Sequence, residues 1–389
     1  MKLPIYLDYH ATTPCDPRVV DAMLPCFREK FGNPSSRSHS FGREAEEMVE
    51  RARGQVADLL GATPDEIVFT SCATEANNLA IKGAACARRE AGDGTHIVSM
   101  RIEHKSVLEP LAMLEEDGFR VTWLEVDEKG RVDPADLAEA VGDDTILVSL
   151  MLANNEIGTI EPLTELAAIA HEAGAWVHTD AVQGVGKIPV RVDDLDVDLL
   201  AISGHKFYGP KGIGALFVRR RSRRMKLAPT LCGGGQERGL RSGTHNVPGI
   251  VGLGVAAEVA GEERVAESAR LAVLRDRLQE GLEREIEDVV VNGDPDNRLP
   301  NNLNVSIPYV DGEALLLSLE DVAVSSGSAC RSSAAGGSHV MKAIGRDDDL
   351  ARSTIRFGLG RWTTEEEIDY AIGRVTETVA RLRSMSSLT

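Results

Sequence analysis

The residues best suited to chemistry sit at the ends of short apolar runs. Leu199-Leu200-Ala201-Ile202-Ser203 leads into Gly204-His205-Lys206, and a glycine-rich turn, Gly209-Pro210-Lys211-Gly212, follows. A lysine just past a strand end, among glycines that bring backbone close, is where a Schiff-base lysine would sit. Desolvation and neighbouring cations there lower its pKa and activate the amine. Taken alone, Lys206 reads first as a surface lysine in a turn. The balance changes at Trp176-Val177-His178-Thr179-Asp180, where a second apolar run ends in a carboxylate at the same expected sheet edge.

A lysine and a carboxylate so placed meet the needs of pyridoxal phosphate, an amine for the aldehyde and an acid group against the pyridinium nitrogen. The other reading of Asp180 is a helix N-cap. An anion cup is offered by Ile67-Val68-Phe69-Thr70-Ser71-Cys72-Ala73-Thr74, which runs from a strand into a helix through small and hydroxylated residues. The segment 325–337, centred on Cys330, has no large apolar residue to anchor it, so a mobile, exposed loop is expected. A cysteine in such a loop, beside Arg331, is poised for reaction rather than for packing. Cys15, Cys26, Cys72, Cys86 and Cys232 have no such setting and read as structural thiols.

These groups need a scaffold, and the rest of the chain supplies one. Apolar runs at 67–70, 97–100, 121–124, 146–152, 176–178, 199–203 and 215–218 alternate with helical patterns such as 43–60, 75–90 and 163–172. That alternation predicts an α/β fold with a mainly parallel central sheet of seven strands, and ligands beyond its carboxyl ends. From Pro248 to about Ile286 the pattern is one long helix; strand-like pieces at 289–291, 304–307 and 354–357 and a last helix from Thr364 follow. We therefore expect a large domain over 16–260 and a smaller α+β domain built from 1–15 and 261–389, the latter carrying the cysteine loop at about 325–338.

Composition bounds the partners. With 43 Lys+Arg against 61 Asp+Glu the net charge is −18, which disfavours direct binding to nucleic acid or to acidic lipid. No run is long enough to span a bilayer, and the N-terminus has no signal-peptide core. None of the six cysteines forms a CxxC pair, so no zinc ribbon or thioredoxin motif is present and a reducing, cytoplasmic setting is expected.

The ordered motifs resemble those of the IscS/NifS-type cysteine desulfurases, class V members of the fold-type I pyridoxal-phosphate transferases. They run through Leu7-Asp8-Tyr9-His10-Ala11-Thr12-Thr13-Pro14, Phe31-Gly32-Asn33-Pro34, Ala73-Thr74-Glu75-Ala76-Asn77-Asn78, Glu103-His104, Asn154-Asn155-Glu156-Ile157-Gly158, His178-Thr179-Asp180, Ser203-Gly204-His205-Lys206, Arg241-Ser242-Gly243-Thr244 and Ser325-Ser326-Gly327-Ser328-Ala329-Cys330.

The resemblance implies Lys206 as the Schiff-base residue, Asp180 as the pyridinium partner and His104 as the group stacked on the ring and active in proton transfer. Asn155 and Gln183 would contact the ring hydroxyl side. Ala73, Thr74, Ser203 and His205 would hold the phosphate, joined by Thr244 from the other subunit of a homodimer. Arg356 would clamp the carboxylate of L-cysteine, with Asn155 and Asn33 beside it, and Cys330 would take the sulfur. The persulfide would pass to an iron–sulfur scaffold or another sulfur carrier serving tRNA, cofactor or DNA modification.

Departures from the common pattern are Arg331 for threonine, Cys72 for glycine, and Ala-Ala-Gly-Gly in place of a Glu-Pro approach to Ser338. The sequence also ends at Thr389, soon after its last helix, where longer members carry a tail that contributes to scaffold docking. Two other readings remain open at this point: a class V aminotransferase or lyase without a catalytic thiol, and a non-catalytic sulfur-carrier subunit that keeps only the fold.

Overall fold

A computed structural model describes residues 2–220, 225–326 and 337–385. β1 (Ile5–Tyr6) lies apart from the main sheet, which is built from β2 (Ile67–Thr70), β3 (His96–Met100), β4 (Arg120–Leu124), β5 (Thr145–Ser149), β6 (Trp176–Asp180), β7 (Leu199–Ser203) and β8 (Gly214–Val218). Their order is β2-β8-β7-β6-β5-β3-β4. Only β8 runs against its neighbours, pairing antiparallel with both β2 and β7. The other six strands share one direction, so their carboxyl ends open on a single edge.

Both faces of this sheet are covered. Along β7, Leu199 and Ala201 join one apolar cluster with the helices Ala73–Ala91 and Lys105–Glu116. Leu200 and Ile202 join the other, with the helices Ser40–Leu60 and Leu163–Glu172. The period of two puts alternate side chains on opposite faces, which is why these runs show no polar alternation. The apolar run expected at 146–152 stops being strand at Ser149, because the chain turns there toward Asn154. Asn154 fixes that turn: its Oδ1 accepts from the N–H of Glu156 and Ile157 at 2.8 and 3.0 Å, and its Nδ2 donates to the Ile102 carbonyl.

The helix Val247–Glu285 is 39 residues long, roughly 58 Å at 1.5 Å per residue. Its first half, through Ala260, packs into the core of the main sheet. Its second half places Leu271, Leu274, Leu278 and Leu282 in a separate core with Ile5, Leu7, Val305, Phe357 and Val375. That second core is formed by β9 (Val290–Val291), β10 (Asn302–Ser306), β11 (Val322–Ala323) and β12 (Thr354–Gly358), with the helix Glu365–Met385 over them. β12-β10-β9 form an antiparallel sheet, and β1 pairs in parallel with β11.

The two cores are joined by residues 7–16 as well as by the helix. The Gly358 N–H donates to the Leu7 carbonyl and the Tyr9 N–H to the Gly358 carbonyl, at 2.7 and 3.1 Å. Further along, Arg361 pairs with Asp16 at 2.6 Å and with Glu267 at 2.8 Å, and stacks over the Tyr208 ring.

Close approach is needed where β8 meets the turn from β2 into Ala73–Ala91. A Cβ on Gly214 would lie 2.6 Å from the Ile202 carbonyl oxygen and 2.8 Å from the Cys72 carbonyl carbon. Backbone cannot step aside as a flexible side chain would. Gly214→Ala is therefore expected to lower stability by about 1–3 kcal/mol. The midpoint of urea unfolding measures this, and a variant that unfolds at the wild-type midpoint contradicts the packing described.

Candidate active site

A cavity of about 600 Å³ opens at the carboxyl ends of β2, β6 and β7. β6 ends in Asp180, and β7 passes through Ser203 into the single turn Gly204–Lys206. Parallel register sets Asp180 opposite Ala201, so the two strand ends deliver a carboxylate and an amine to the same space. Lys206 Nζ donates to the carbonyls of His10 and Ala11 at 2.6 and 2.9 Å. Burial, and next the Arg356 guanidinium, bring its pKa from 10.5 down to about 8, while Asp180 and Asp8 pull the other way. A second buried amine, Lys187 Nζ, donates to the Lys206 carbonyl at 2.9 Å and is itself brought to about 7, chiefly by burial.

Asp180 does not cap a helix. Its Oδ1 accepts from the Val182 N–H in a turn at 3.0 Å, and its Oδ2 accepts from Asn77 Nδ2 at 2.8 Å. Asn77 belongs to the helix Ala73–Ala91, whose N-cap, Cys72, makes no side-chain capping bond. The start of that helix, with Ala73 and Thr74, lines the cavity beside Ser203 and His205. An uncapped helix N-terminus with a threonine in its first turn is suited to an anion. His205 Nδ1 lies 3.1 Å from Thr12 Oγ1, and burial followed by Lys206 takes its pKa to about 4, so the ring is neutral.

His104 is the N-cap of Lys105–Glu116, its Nδ1 accepting from the Ser106 N–H at 3.1 Å with Ser106 Oγ at 2.8 Å. Burial lowers its pKa, with Asp180 opposing. Gln183 Nε2 donates to the His10 carbonyl at 3.0 Å, and its side chain lines the cavity together with Asn155. Arg356, on β12 of the second core, reaches across: Nη1 donates to the Asn155 carbonyl and Nη2 pairs with Asp8, both at 2.8 Å.

Ten of the residues expected from the sequence thus meet here: Ala73, Thr74, His104, Asn155, Asp180, Gln183, Ser203, His205, Lys206 and Arg356. Two stand apart. Asn33 is exposed and its Oδ1 accepts from the Ser35 N–H at 3.0 Å. Thr244 lines a smaller cavity of about 170 Å³ with Ser71, Arg241 and His245, reached from the same Ser71-Cys72 turn. Cys330 and Arg331 lie outside the described residues, but both flanks of their segment are anchored near the cavity. The Arg356 N–H donates to the Ser325 carbonyl at 2.7 Å, Ser338 Oγ donates to Glu156 Oε2 at 2.5 Å, and His339 Nε2 lies 3.0 Å from the Glu103 carbonyl.

Sequence reasoning gave no individual role to Asp8, His10, Asn77, Ser106, Glu156, Ser338 or His339, although all but Ser106, Ser338 and His339 fall within the quoted motifs. Apart from the local Ser106–His104 contact, their partners are remote in the chain, so only the fold reveals them.

Comparison with known proteins agrees with this geometry. The model of the aminotransferase class-V family matches residues 5–371. The cysteine desulfurase IscS of Anaeromyxobacter dehalogenans is 56% identical over 388 residues, covering 100% of this chain and 95% of that protein. The human cysteine desulfurase is 51% identical over 385 residues, 99% of this chain and 84% of its own. Among solved structures, a NifS-like protein superposes with a TM-score of 0.90 at 40% identity, covering 98% of this chain and 100% of that one. DndA from Streptomyces lividans gives 0.77 at 42% identity over 90% of this chain and 97% of its own. The alternation of strands and helices, the lysine and carboxylate at neighbouring strand ends and these full-length likenesses lead to one assignment: the chain belongs to the aminotransferase class-V family, among the cysteine desulfurases of the IscS/NifS type.

Proposed function

We propose that this protein is a pyridoxal-phosphate cysteine desulfurase, converting L-cysteine to L-alanine and placing the sulfur on Cys330 as a persulfide. The observation that carries this reading is the convergence of Lys206, Asp180 and Arg356, from two separate cores, on one cavity. The residues fit the cofactor. The Lys206 amine is suited to its aldehyde, the Asp180 carboxylate to its ring nitrogen, and the uncapped helix start at Ala73-Thr74, with Ser203 and His205, to its phosphate. His104 would lie on the ring, and Asn155 and Gln183 would meet the hydroxyl side. When bound, pyridoxal phosphate supplies the electron sink for a carbanion at the substrate Cα.

The chain's own groups do the rest. Arg356, already oriented by Asp8 and the Asn155 carbonyl, presents a planar fork to the cysteine carboxylate. Lys206, whose pKa burial brings down to about 8, takes the Cα proton and later returns one. The Cys330 thiolate forms an S–S bond with the substrate sulfur as the substrate C–S bond breaks, and alanine leaves. Asn33 and Thr244, remote from the cavity within one chain, fit the reading through a homodimer, in which Thr244 of one subunit completes the phosphate site of the other. An exposed, stacked pair, Phe31 and Phe41 with centroids 5.6 Å apart, and exposed Phe27 support such a partner surface.

The persulfide acceptor is a protein, an iron–sulfur scaffold or another carrier, and the setting is cytoplasmic. Cys15, Cys26, Cys72, Cys86 and Cys232 are all unpaired, as a reducing compartment requires. Among the described residues no helix is long and apolar enough to cross a membrane. The two cores support a large domain over 16–260 and a small domain from 1–15 and 261–389, except that Val340, Met341, Ile344 and Ala351 pack into the large core.

Two outcomes are expected. Adduct formation between apoprotein and pyridoxal phosphate at Lys206, fixed with borohydride and read by mass spectrometry, should rise with pH to a midpoint near the amine's value of about 8. A midpoint near that of ordinary lysine would contradict the buried setting. Cys330→Ala should keep the bound cofactor yet lose alanine and sulfide production by about 100-fold or more. Full activity in that variant would favour a lyase or aminotransferase without thiol catalysis.

A further inference from the structure

His104 and Asp180 reach the cavity from different elements, and one buried amide lies between them. Asn77 is 0% exposed. Its Nδ2 is 2.8 Å from Asp180 Oδ2 and 2.9 Å from Ser106 Oγ, while His178 Nε2 is 3.2 Å from its Oδ1. Beyond the imidazole, His178 Nδ1 is 2.8 Å from Ser149 Oγ. Ser106 Oγ in turn is 2.8 Å from His104 Nδ1. Asn77, His178 and Ser149 lie behind the residues that line the cavity.

The donor directions follow from one another. The Asn77 amide nitrogen can only donate, so one N–H goes to Asp180 Oδ2 and the second serves Ser106 Oγ. The Asn77 oxygen then accepts from His178 Nε2–H, which leaves His178 Nδ1 to accept from the Ser149 hydroxyl. Ser106, receiving from Asn77, turns its own hydrogen to His104 Nδ1. The Ser106 backbone N–H, which can only donate, points at the same nitrogen at 3.1 Å. His104 Nδ1 is thus an acceptor twice over, and the single proton of the neutral ring resides on Nε2.

We propose that Asn77 and Ser106 are positioning residues acting as one unit, which holds His104 as the Nε2–H tautomer and ties its ring to the Asp180 carboxylate. This rests on the desulfurase reading above, in which both groups serve the cofactor. Burial takes His178 to about 3, so the far end of the chain stays neutral and its direction does not reverse. His104 is lowered by burial too, with Asp180 and Glu109 opposing and Lys206 and His339 assisting. Facing the cavity, His104 is a hydrogen-bond donor; a second proton must go to Nδ1 and displace the cap of Lys105–Glu116.

The test uses holoenzyme labelled with heavy nitrogen in its histidine rings, with His104→Gln to assign the signals. Wild type should show His104 protonated at Nε2 and accepting at Nδ1. Ser106→Ala and Asn77→Ala should each shift the Nδ1 signal and lower kcat by about tenfold, with KM for cysteine changed by less than about twofold. Ser106→Thr, which keeps the hydroxyl, should restore both. A wild-type ring protonated at Nδ1, an unmoved Nδ1 signal and kcat in Ser106→Ala, or a Ser106→Thr variant no better than alanine overturns the proposal. The ring-nitrogen measurement needs no substrate, so it decides this point even if wild type shows no desulfurase activity, the outcome that would instead remove the functional reading.

Discussion

A lysine amine buried at a strand end must find acceptors, and the segment 7–16 is where Lys206 finds them. The carbonyls of His10 and Ala11 take its hydrogens, and that requirement fixes the path of the N-terminal segment between the two cores. Everything nearby builds on that path. Gln183 donates to the same His10 carbonyl, and the Thr13 N–H donates to the His205 carbonyl at 2.9 Å. Asp8, two residues before His10, then orients Arg356 from the opposite core. Gly358 permits the crossing, since a Cβ there would lie 2.8 Å from the His10 nitrogen. The amine and the guanidinium are therefore placed by one short stretch of chain, not by two independent loops.

Burial dominates the electrostatics around this stretch and drives most titratable groups toward neutrality. Glu103 is pushed well above the usual carboxylate range, Glu156 is raised despite its bond from Ser338, and Glu161 reaches about 8. Burial moves bases the opposite way, as in His178 and Lys187. The consequences for stability have opposite signs. The Glu161 contribution is full below the ordinary carboxylate value and is lost as pH rises through about 8. The His178 contribution is full above the ordinary imidazole value and is lost as pH falls through about 3. Against this background, Asp180, Lys206 and Arg356 line the cavity that a cofactor and substrate would enter.

Much of this was legible in the sequence because each key residue ends a patterned run. Lys206, Asp180 and the Thr70-to-Thr74 turn stand at strand ends, where parallel α/β sheets place their ligands. Arg356 was legible only through family resemblance, since a buried arginine in a short strand has no local signature. The helix Lys105–Glu116, which carries Pro110 in its interior, was not among the helical patterns named from the sequence. Asn77 and Ser106 escaped too. Nothing local distinguishes a buried asparagine that orders a site from one that packs, and the meaning of each lies in a partner 103 or 29 residues away.

The helix Val247–Glu285 carries a further consequence. One continuous helix contributes apolar side chains to both cores, so neither core can be dismantled without stripping surface from a helix the other requires. Arg356 and the upstream flank of the cysteine segment at Ser325 belong to the second core or lean on it, while Lys206, Asp180 and the downstream flank, through Val340 and Met341, go with the first. The shared helix couples the two, so loss of the small core would also take Arg356 from the reaction centre.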